Sequence, residues 1–304
     1  MEGITFYFEW EVALMEWIQS VMGDAGAAVA SVWSMLGEEM VLIAVLGFLY
    51  WVYDKEYGKY VGTNILVGIV WNPLFKNLVL RRRPYFDNPT IKCLKPVNPD
   101  ADLYDIAAQG YSFPSGHSTN AAIVYGSLAV KKKSIVLRVL AIVLPLLVGV
   151  SRFMVGVHYP TDVLTGWLLG ILVIAVMTYL QSHVKRVWLL HLVLFLVSAI
   201  GLFYCRTEDY FTGLGLMGGF FLAMPFEERF VRFENTTNIL RGILRIAGGF
   251  AVYLGLNTLL KLPFSSEFLE TATMAAFMVR FARYFIVGFV TLGVYPLVFR
   301  KEKA

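Results

Sequence analysis

Apolar residues along this chain gather into long runs separated by short polar connections, and their spacing within the runs is helical. From Trp10 onward, Trp10, Leu14, Trp17, Ile18 and Val21 fall on one side of a helix while Glu9, Glu16 and Ser20 fall on the other. That pattern predicts an amphipathic interfacial helix within residues 1–34. It is acidic where membrane-surface anchors are usually basic, so it is expected to pack on the protein and the membrane surface. Nine apolar runs follow, at 35–53, 60–80, 114–130, 135–151, 160–180, 187–205, 210–226, 239–260 and 273–299. Each is about long enough to cross a hydrocarbon core of ~30 Å as a helix. The expected fold is an all-α polytopic membrane bundle of about nine spans plus the amino-terminal helix. The expected organisation is an interfacial segment at 1–34, a core at 35–182 and a further four-span region at 183–304.

Composition agrees with a membrane solvent: 58% of the 304 residues are hydrophobic and only 16% are charged. The net charge of +4 is modest and its cations sit in short clusters between runs, which argues against a nucleic-acid partner. The two cysteines, Cys93 and Cys205, have no CxxC or histidine-rich company, so neither a zinc site nor a disulfide framework is signalled, although both map to one membrane side. No metal or cofactor is called for. The first basic residue is Lys55, so the amino terminus lacks the positive segment of a cleavable signal peptide, and the first helices are expected to remain in the mature protein.

Basic residues also orient the bundle. Fifteen of the 26 Lys and Arg lie in alternate connections: Lys55 and Lys59; Lys131, Lys132, Lys133 and Arg138; Lys185 and Arg186; Arg229, Arg232, Arg241 and Arg245; and Arg300, Lys301 and Lys303. The remaining 11 lie on the opposite side. The richer side is expected to be cytoplasmic, which places the amino terminus outside, the carboxyl terminus inside and the longest connection, residues 81–113, on the non-cytoplasmic face. A loop of that length, broken by Pro84, Pro89, Pro96 and Pro99, is usually functional.

Three polar clusters stand at the outward ends of runs: Lys76 with Arg83 and Pro84; Pro114, Ser115, Gly116 and His117; and Ser151, Arg152, His158 and Asp162. Ionisable groups at membrane depth are costly and point to a site. Three cations with two histidines suit phosphoryl transfer, in which charge on the transferred group is spread over positive donors while one group attacks and another protonates the leaving oxygen. Lys76, Arg83 and Arg152 would supply the charge, and the backbone N–H groups of Ser115 and Gly116, where a loop enters a helix, would face the anion. His158 and Asp162 are one helical turn apart behind Pro160, so the carboxylate can hold one imidazole nitrogen and leave the other to attack. His117 has no such partner in its motif and is the expected general acid.

Taken together, Lys76-x6-Arg83-Pro84, Pro114-Ser115-Gly116-His117 and Ser151-Arg152-x5-His158-x3-Asp162 resemble the type 2 phosphatidic acid phosphatase family, which shares its plan with vanadium haloperoxidases and glucose-6-phosphatases. The resemblance covers roughly residues 60–180. It implies a metal-independent membrane phosphatase acting through a phosphohistidine. Lys76, Arg83, Ser115, Gly116 and Arg152 would bind phosphate, His117 would be the acid, and His158 with Asp162 the nucleophilic pair, with vanadate or phosphate as site ligands. The expected substrate is a lipid phosphate of the phosphatidic acid, phosphatidylglycerol phosphate or polyprenyl diphosphate class, met at the outer face of the plasma membrane.

A sugar phosphate is the alternative substrate, because nine spans with this orientation and the Arg83-Pro84-Tyr85 sequence resemble glucose-6-phosphatase. A transporter is the alternative of another class, weakened by the absence of matching halves and by polar motifs confined to one face. On the long loop, Arg81, Arg82, Lys92 and Lys95 offer charge that would gather anionic lipid. Arg280 and Arg283 are expected to pair with Glu267 and Glu270. His183 and His191, without acidic neighbours at helical spacing, are expected to be structural.

Overall fold

In a computed structural model, which describes residues 3–299, the secondary structure is helical, with irregular backbone concentrated in the long loop. Among these residues the extended backbone pairs only once, where Ile4 lies parallel to Arg81. The helices run α1 Glu9–Met35, α2 Glu39–Phe48, α3 Lys55–Val79, α4 Pro84–Asp87, α5 Ile106–Gln109, α6 Gly116–Lys131, α7 Ile135–Met154, α8 Pro160–His183, α9 Val187–Ala199, α10 Glu208–Phe226, α11 Ile239–Leu259, α12 Ser266–Glu270 and α13 Met274–Phe289. All nine apolar runs are helical. Four helices are long and apolar enough to cross a membrane, α7, α8, α11 and the stretch from α13 to Val298, and α1 with the following Glu39–Tyr53 stretch forms a pair bent by 41° that passes the same test. Arg300, Lys301 and Lys303, which entered the charge count, lie outside the described residues.

The chain divides into two compact units. The first holds the residues up to Leu42 and Trp71–Ala175, and therefore all three polar clusters; the second holds Ile43–Val70 and the residues from Val176 onward.

In the first unit, polarity is distributed as a lipid solvent requires. Along α7, Ile135, Val136, Val139, Ile142 and Val143 are exposed, whereas Val148, Gly149, Ser151 and Arg152 are buried. Helix α1 follows the same rule. Trp10, Trp17 and Val21 face outward, while Glu11 and Met15 are fully buried. Its polar side grips the long loop: Glu16 accepts from the Thr90 hydroxyl at 2.6 Å, and Gln19 donates to the Lys92 carbonyl at 2.9 Å and accepts from the Lys92 N–H at 2.9 Å. The polar face of this helix thus turns to protein and its aromatic face away from it.

Small residues set the distance between α6 and α8. A Cβ on Gly166 would stand 2.7 Å from the Ser115 carbonyl oxygen, and one on Gly170 2.7 Å from Ala122 Cβ and 3.0 Å from the Thr119 carbonyl oxygen. Gly166 and Gly170 are one turn apart, so the two backbones meet along a glycine stripe, the device by which membrane helices pack without a hydrophobic driving force.

The second unit uses the same device. Cβ atoms on Gly215 and Gly219 of α10 would stand 2.5 Å from the Phe281 carbonyl oxygen and 2.4 Å from the Phe285 carbonyl oxygen of α13. Two of its lysines are paired inside the unit, Lys55 with Glu227 at 2.8 Å and Lys59 with Glu228 at 2.7 Å. Arg280 pairs with Glu208 at 2.6 Å, and Arg283 donates to Asn257 at 2.7 Å. The expected pairing of these two arginines with Glu267 and Glu270 is therefore replaced. Glu208 opens α10 and Asn257 lies near the end of α11, so partners come from neighbouring helices and not from the adjacent loop. His191 stacks on Phe221 with ring centroids 4.2 Å apart, and His183 on Tyr179 at the same separation. Both cysteines are free thiols.

Candidate active site

The three clusters meet in the first unit because three helix ends are brought together. Ser115 caps α6, its hydroxyl accepting from the Ser118 N–H at 3.4 Å, so Gly116 and His117 are the first helical residues and their N–H groups are among those a helix leaves unbonded. Lys76 is in the last turn of α3. A Cβ built on Gly116 would lie 3.5 Å from Asn72 Oδ1 and 3.9 Å from Lys76 Nζ, so the ammonium stands against the start of α6. The positive end of that helix and the lysine act on the same spot.

Arg83 begins the next turn and is almost fully buried. Its Nε donates to the Gln109 and Gly110 carbonyls at 2.8 and 3.0 Å, and one terminal nitrogen, Nη1, donates to the Val157 carbonyl at 2.9 Å and lies 3.5 Å from His158 Nε2. The long loop and the α7–α8 connection are thus both tied to this guanidinium. Arg152, in the last turn of α7, is buried; its Nη1 donates to the Ser34 hydroxyl of α1, and its Nε is buried without an acceptor among the described residues. Burial, followed by the fields of Arg83, Arg152 and Lys76, holds the His158 imidazole well below its ordinary value of 6.5. The imidazole is therefore neutral near pH 7, with a lone pair available for attack.

Asp162 Oδ2 lies 3.5 Å from His158 Nδ1, near but not hydrogen-bonded: among the described residues this buried nitrogen has no hydrogen-bond partner. The carboxylate is itself tightly held. Oδ2 accepts from the Ser112 hydroxyl and, at 2.7 Å, from the Tyr159 N–H, while Oδ1 accepts from Arg81 at 2.6 Å. The Asp162 carbonyl accepts from the Ser115 N–H at 3.0 Å, which joins the second cluster to the third and takes this N–H away from the anion that the sequence places in front of it; the unbonded N–H groups at the start of α6 follow Ser115 in the chain. His117 is half-buried in the first turn of α6, backed by Gly37, whose Cβ position lies 3.3 Å from His117 Cβ. None of the described residues donates to or accepts from its imidazole. Among them, no group of three or more His, Cys, Asp or Glu is placed to hold a metal ion.

Sequence reasoning missed four supporting residues: Glu11, Ser34, Arg81 and Ser112. Arg81 was grouped with cations that face lipid, yet it is fully buried between Asp162 and Glu11. Three consecutive arginines look alike in a sequence, and only the turn after α3 separates the inward from the outward ones. Of the other loop cations, Arg82 pairs with Asp87 and Lys95 with Glu38. The Gly166-x3-Gly170 spacing is a membrane packing motif that the sequence itself carries.

Apolar helices that gather a cationic, histidine-bearing cluster define an integral membrane protein. Residues 56–186 match the PAP2 superfamily, and residues 211–303 match the transmembrane extension of PAP2 superfamily phosphatases. The chain belongs to the PAP2 superfamily. It is 34% identical over 126 residues to phosphatidylglycerophosphatase B of Bacillus subtilis, covering 38% of this chain and 61% of that one. It is 32% identical over 139 residues to an undecaprenyl-diphosphatase of Sulfolobus acidocaldarius, covering 45% and 62%. It is 32% identical over 168 residues to a decaprenylphosphoryl-5-phosphoribose phosphatase of Mycobacterium tuberculosis, covering 53% and 84%. The first two matches take in less than two thirds of the relatives' lengths.

Proposed function

We propose that this protein is a membrane phosphatase that removes phosphate from a lipid phosphate monoester or diphosphate through a phosphohistidine formed on His158. The observation that carries this reading is the buried imidazole of His158, with its Nε2 3.5 Å from Arg83 Nη1; burial first, and then the fields of Arg83, Arg152 and Lys76, favour its neutral form. A phosphoryl group held by those cations and by the N–H groups at the start of α6 would lie in front of Nε2. In the first step the Nε2–P bond forms and the ester P–O bond breaks. The leaving oxygen takes a proton from His117, and Asp162 faces the Nδ1 proton of the charged ring. In the second step water attacks phosphorus as His117 takes back a proton. The P–N bond breaks and inorganic phosphate leaves. The buried Nε of Arg152, lacking an acceptor, supports an anionic ligand here.

A lipid substrate is supported by the relatives, whose names refer to phosphatidylglycerophosphate, an undecaprenyl diphosphate and decaprenylphosphoryl-5-phosphoribose. It also follows from cost, since drawing a tail out of the bilayer would take about 0.8 kcal/mol per CH₂, which a site at helix ends avoids. The basic-residue asymmetry supports a site on the non-cytoplasmic face of the plasma membrane. The test is phosphate release by purified protein in one detergent, comparing phosphatidic acid, phosphatidylglycerol phosphate and polyprenyl diphosphate with glucose 6-phosphate. At least one lipid should be hydrolysed with higher kcat/KM than the sugar ester, His158→Ala should hydrolyse none, and vanadate should inhibit. A sugar ester cleaved at least as efficiently as every lipid would overturn the substrate assignment; turnover by His158→Ala would overturn the phosphohistidine.

A further inference from the structure

Behind the nucleophile lies a buried chain of charges that the phosphate-binding cluster does not include. Arg81 is fully buried, and so are the two carboxylates it joins, Glu11 on α1 and Asp162 on α8. Its Nη1 donates to Asp162 Oδ1 at 2.6 Å and to the Thr161 hydroxyl at 2.8 Å, its Nη2 to Glu11 Oε2 at 3.0 Å, and its Nε to the Phe6 carbonyl at 2.8 Å. The guanidinium plane is clasped between the Phe6 and Tyr159 rings, 4.4 and 4.0 Å from their centroids. Glu11 is held as firmly. Its Oε1 accepts from the N–H and hydroxyl of Thr161 at 2.9 and 2.6 Å, at the start of α8, and its Oε2 accepts from the Phe8 N–H at 3.0 Å.

We propose that Arg81 is a positioning residue for the nucleophile, acting through Asp162, and that Glu11 of the amino-terminal helix holds Arg81 in place. This rests on the reading of His158 as the nucleophile. A carboxylate turns readily about its last torsion, where the preference is broad and two-fold. Arg81 takes Oδ1, and together with the Ser112 hydroxyl and the Tyr159 N–H on Oδ2 it fixes the carboxylate plane with Oδ2 3.5 Å from His158 Nδ1; a negative charge held there favours the proton on Nδ1 and leaves the Nε2 lone pair toward the phosphate. Arg81 alone would be a cation with one carboxylate and freedom to tilt; Glu11 engages its second terminal nitrogen and anchors it to the first turn of α8. The planar fork matters, because only guanidinium meets both carboxylates at once. Helix α1, outside the stretch matched to the PAP2 superfamily at 56–186, thereby becomes part of the catalytic support.

The test is steady-state kinetics of the full-length protein in detergent for Arg81→Lys, Arg81→Met, Glu11→Gln and Asp162→Asn, alone and combined. Glu11→Gln keeps shape and should lower kcat about tenfold with KM within about threefold of wild type; Arg81→Met should cost about 100-fold in kcat, with Arg81→Lys recovering part of it. In the Asp162→Asn background, Glu11→Gln and Arg81→Met should each cost less than about threefold, because the carboxylate they orient is gone. Losses that multiply with Asp162→Asn, or that fall on KM, would overturn the positioning role. Arg81→Met leaves two buried carboxylates facing each other. If it fails to elute as folded protein, the Glu11→Gln cycle with Asp162→Asn decides the matter alone. Wild-type turnover by His158→Ala would instead refute the nucleophile assignment, an outcome separate from independent Arg81 losses in an enzyme that His158→Ala inactivates.

Discussion

At His158 and His117 two identical side chains have different surroundings, and the proposed mechanism gives them different work. His158 is nearly fully buried, faces Asp162 on one nitrogen and Arg83 on the other; His117 is half-buried on the first turn of α6 with no partner to its imidazole among the described residues. A proton donor matters only when the leaving oxygen is a poor one. His117→Ala should therefore retain more activity toward a nitrophenyl phosphate than toward an alkyl phosphate, and kcat/KM for the two esters checks it; equal losses would remove His117 as the acid. The depressed imidazole of His158 makes a second prediction. Because its proton is held more weakly than the ordinary value of 6.5 allows, the neutral form persists as pH falls through 6.5 and is lost only below it. The acid limb of kcat/KM assigned to His158 should accordingly lie below 6.5, and a limb centred at or above 6.5, removed by no other substitution, would contradict the burial and cation fields described above. At this scale the residues on which the proposed chemistry rests are legible in the sequence, since phosphate needs cations, an attacking group and an acid in a recognisable order. Arg81 was not readable, because Arg82 and Arg83 carry the same side chain and only the fold says that Arg81 and Arg83 turn inward while Arg82 does not.

Helices position these side chains through close backbone contact, and the glycine stripe of α8 is where that contact is most sensitive. Gly166 and Gly170 offer equal steric room, with 2.7 Å to the nearest atom in each case, yet they meet different things. Gly166 abuts the carbonyl of Ser115, the cap that presents Gly116 and His117; Gly170 abuts Ala122 and Thr119 a turn farther along α6. Overpacking of either contact should destabilise by about 1–3 kcal/mol. Gly166→Ala should lower kcat several-fold more than Gly170→Ala at a similar drop in thermal unfolding midpoint, because it moves the α6 start relative to His158. Equal activity losses at equal stability would mean that the stripe only packs the bundle. The period of apolar residues predicts such helices well, but it does not say which face is inward when the solvent is lipid. For α1 the exposed side is aromatic and the buried side carries Glu11, an arrangement set by Arg81 and Thr161 and not by amphipathicity.

For the whole molecule, the asymmetry of basic residues predicts that the long loop faces away from the cytoplasm. A cysteine in place of Asn98, in a protein whose Cys93 and Cys205 are replaced, should react with an impermeant thiol reagent in intact cells. Labelling only after permeabilisation would reverse the orientation. What the amino-acid sequence determined by itself is what depends on residue type and spacing: helices where apolar runs have helical period, a membrane as solvent, and three polar clusters, around Lys76 and Arg83, around Ser115, Gly116 and His117, and around Arg152, His158 and Asp162, on which the proposed phosphate chemistry rests. What only the tertiary structure decided is which remote groups share a buried environment. The Glu11–Arg81–Asp162 chain spans 151 positions of sequence, from Glu11 to Asp162, and no local pattern encodes it. Burial of an ion requires a partner within a few ångströms, and that partner is chosen by helix packing, here by the approach of α1 to the turn after α3 and the first turn of α8.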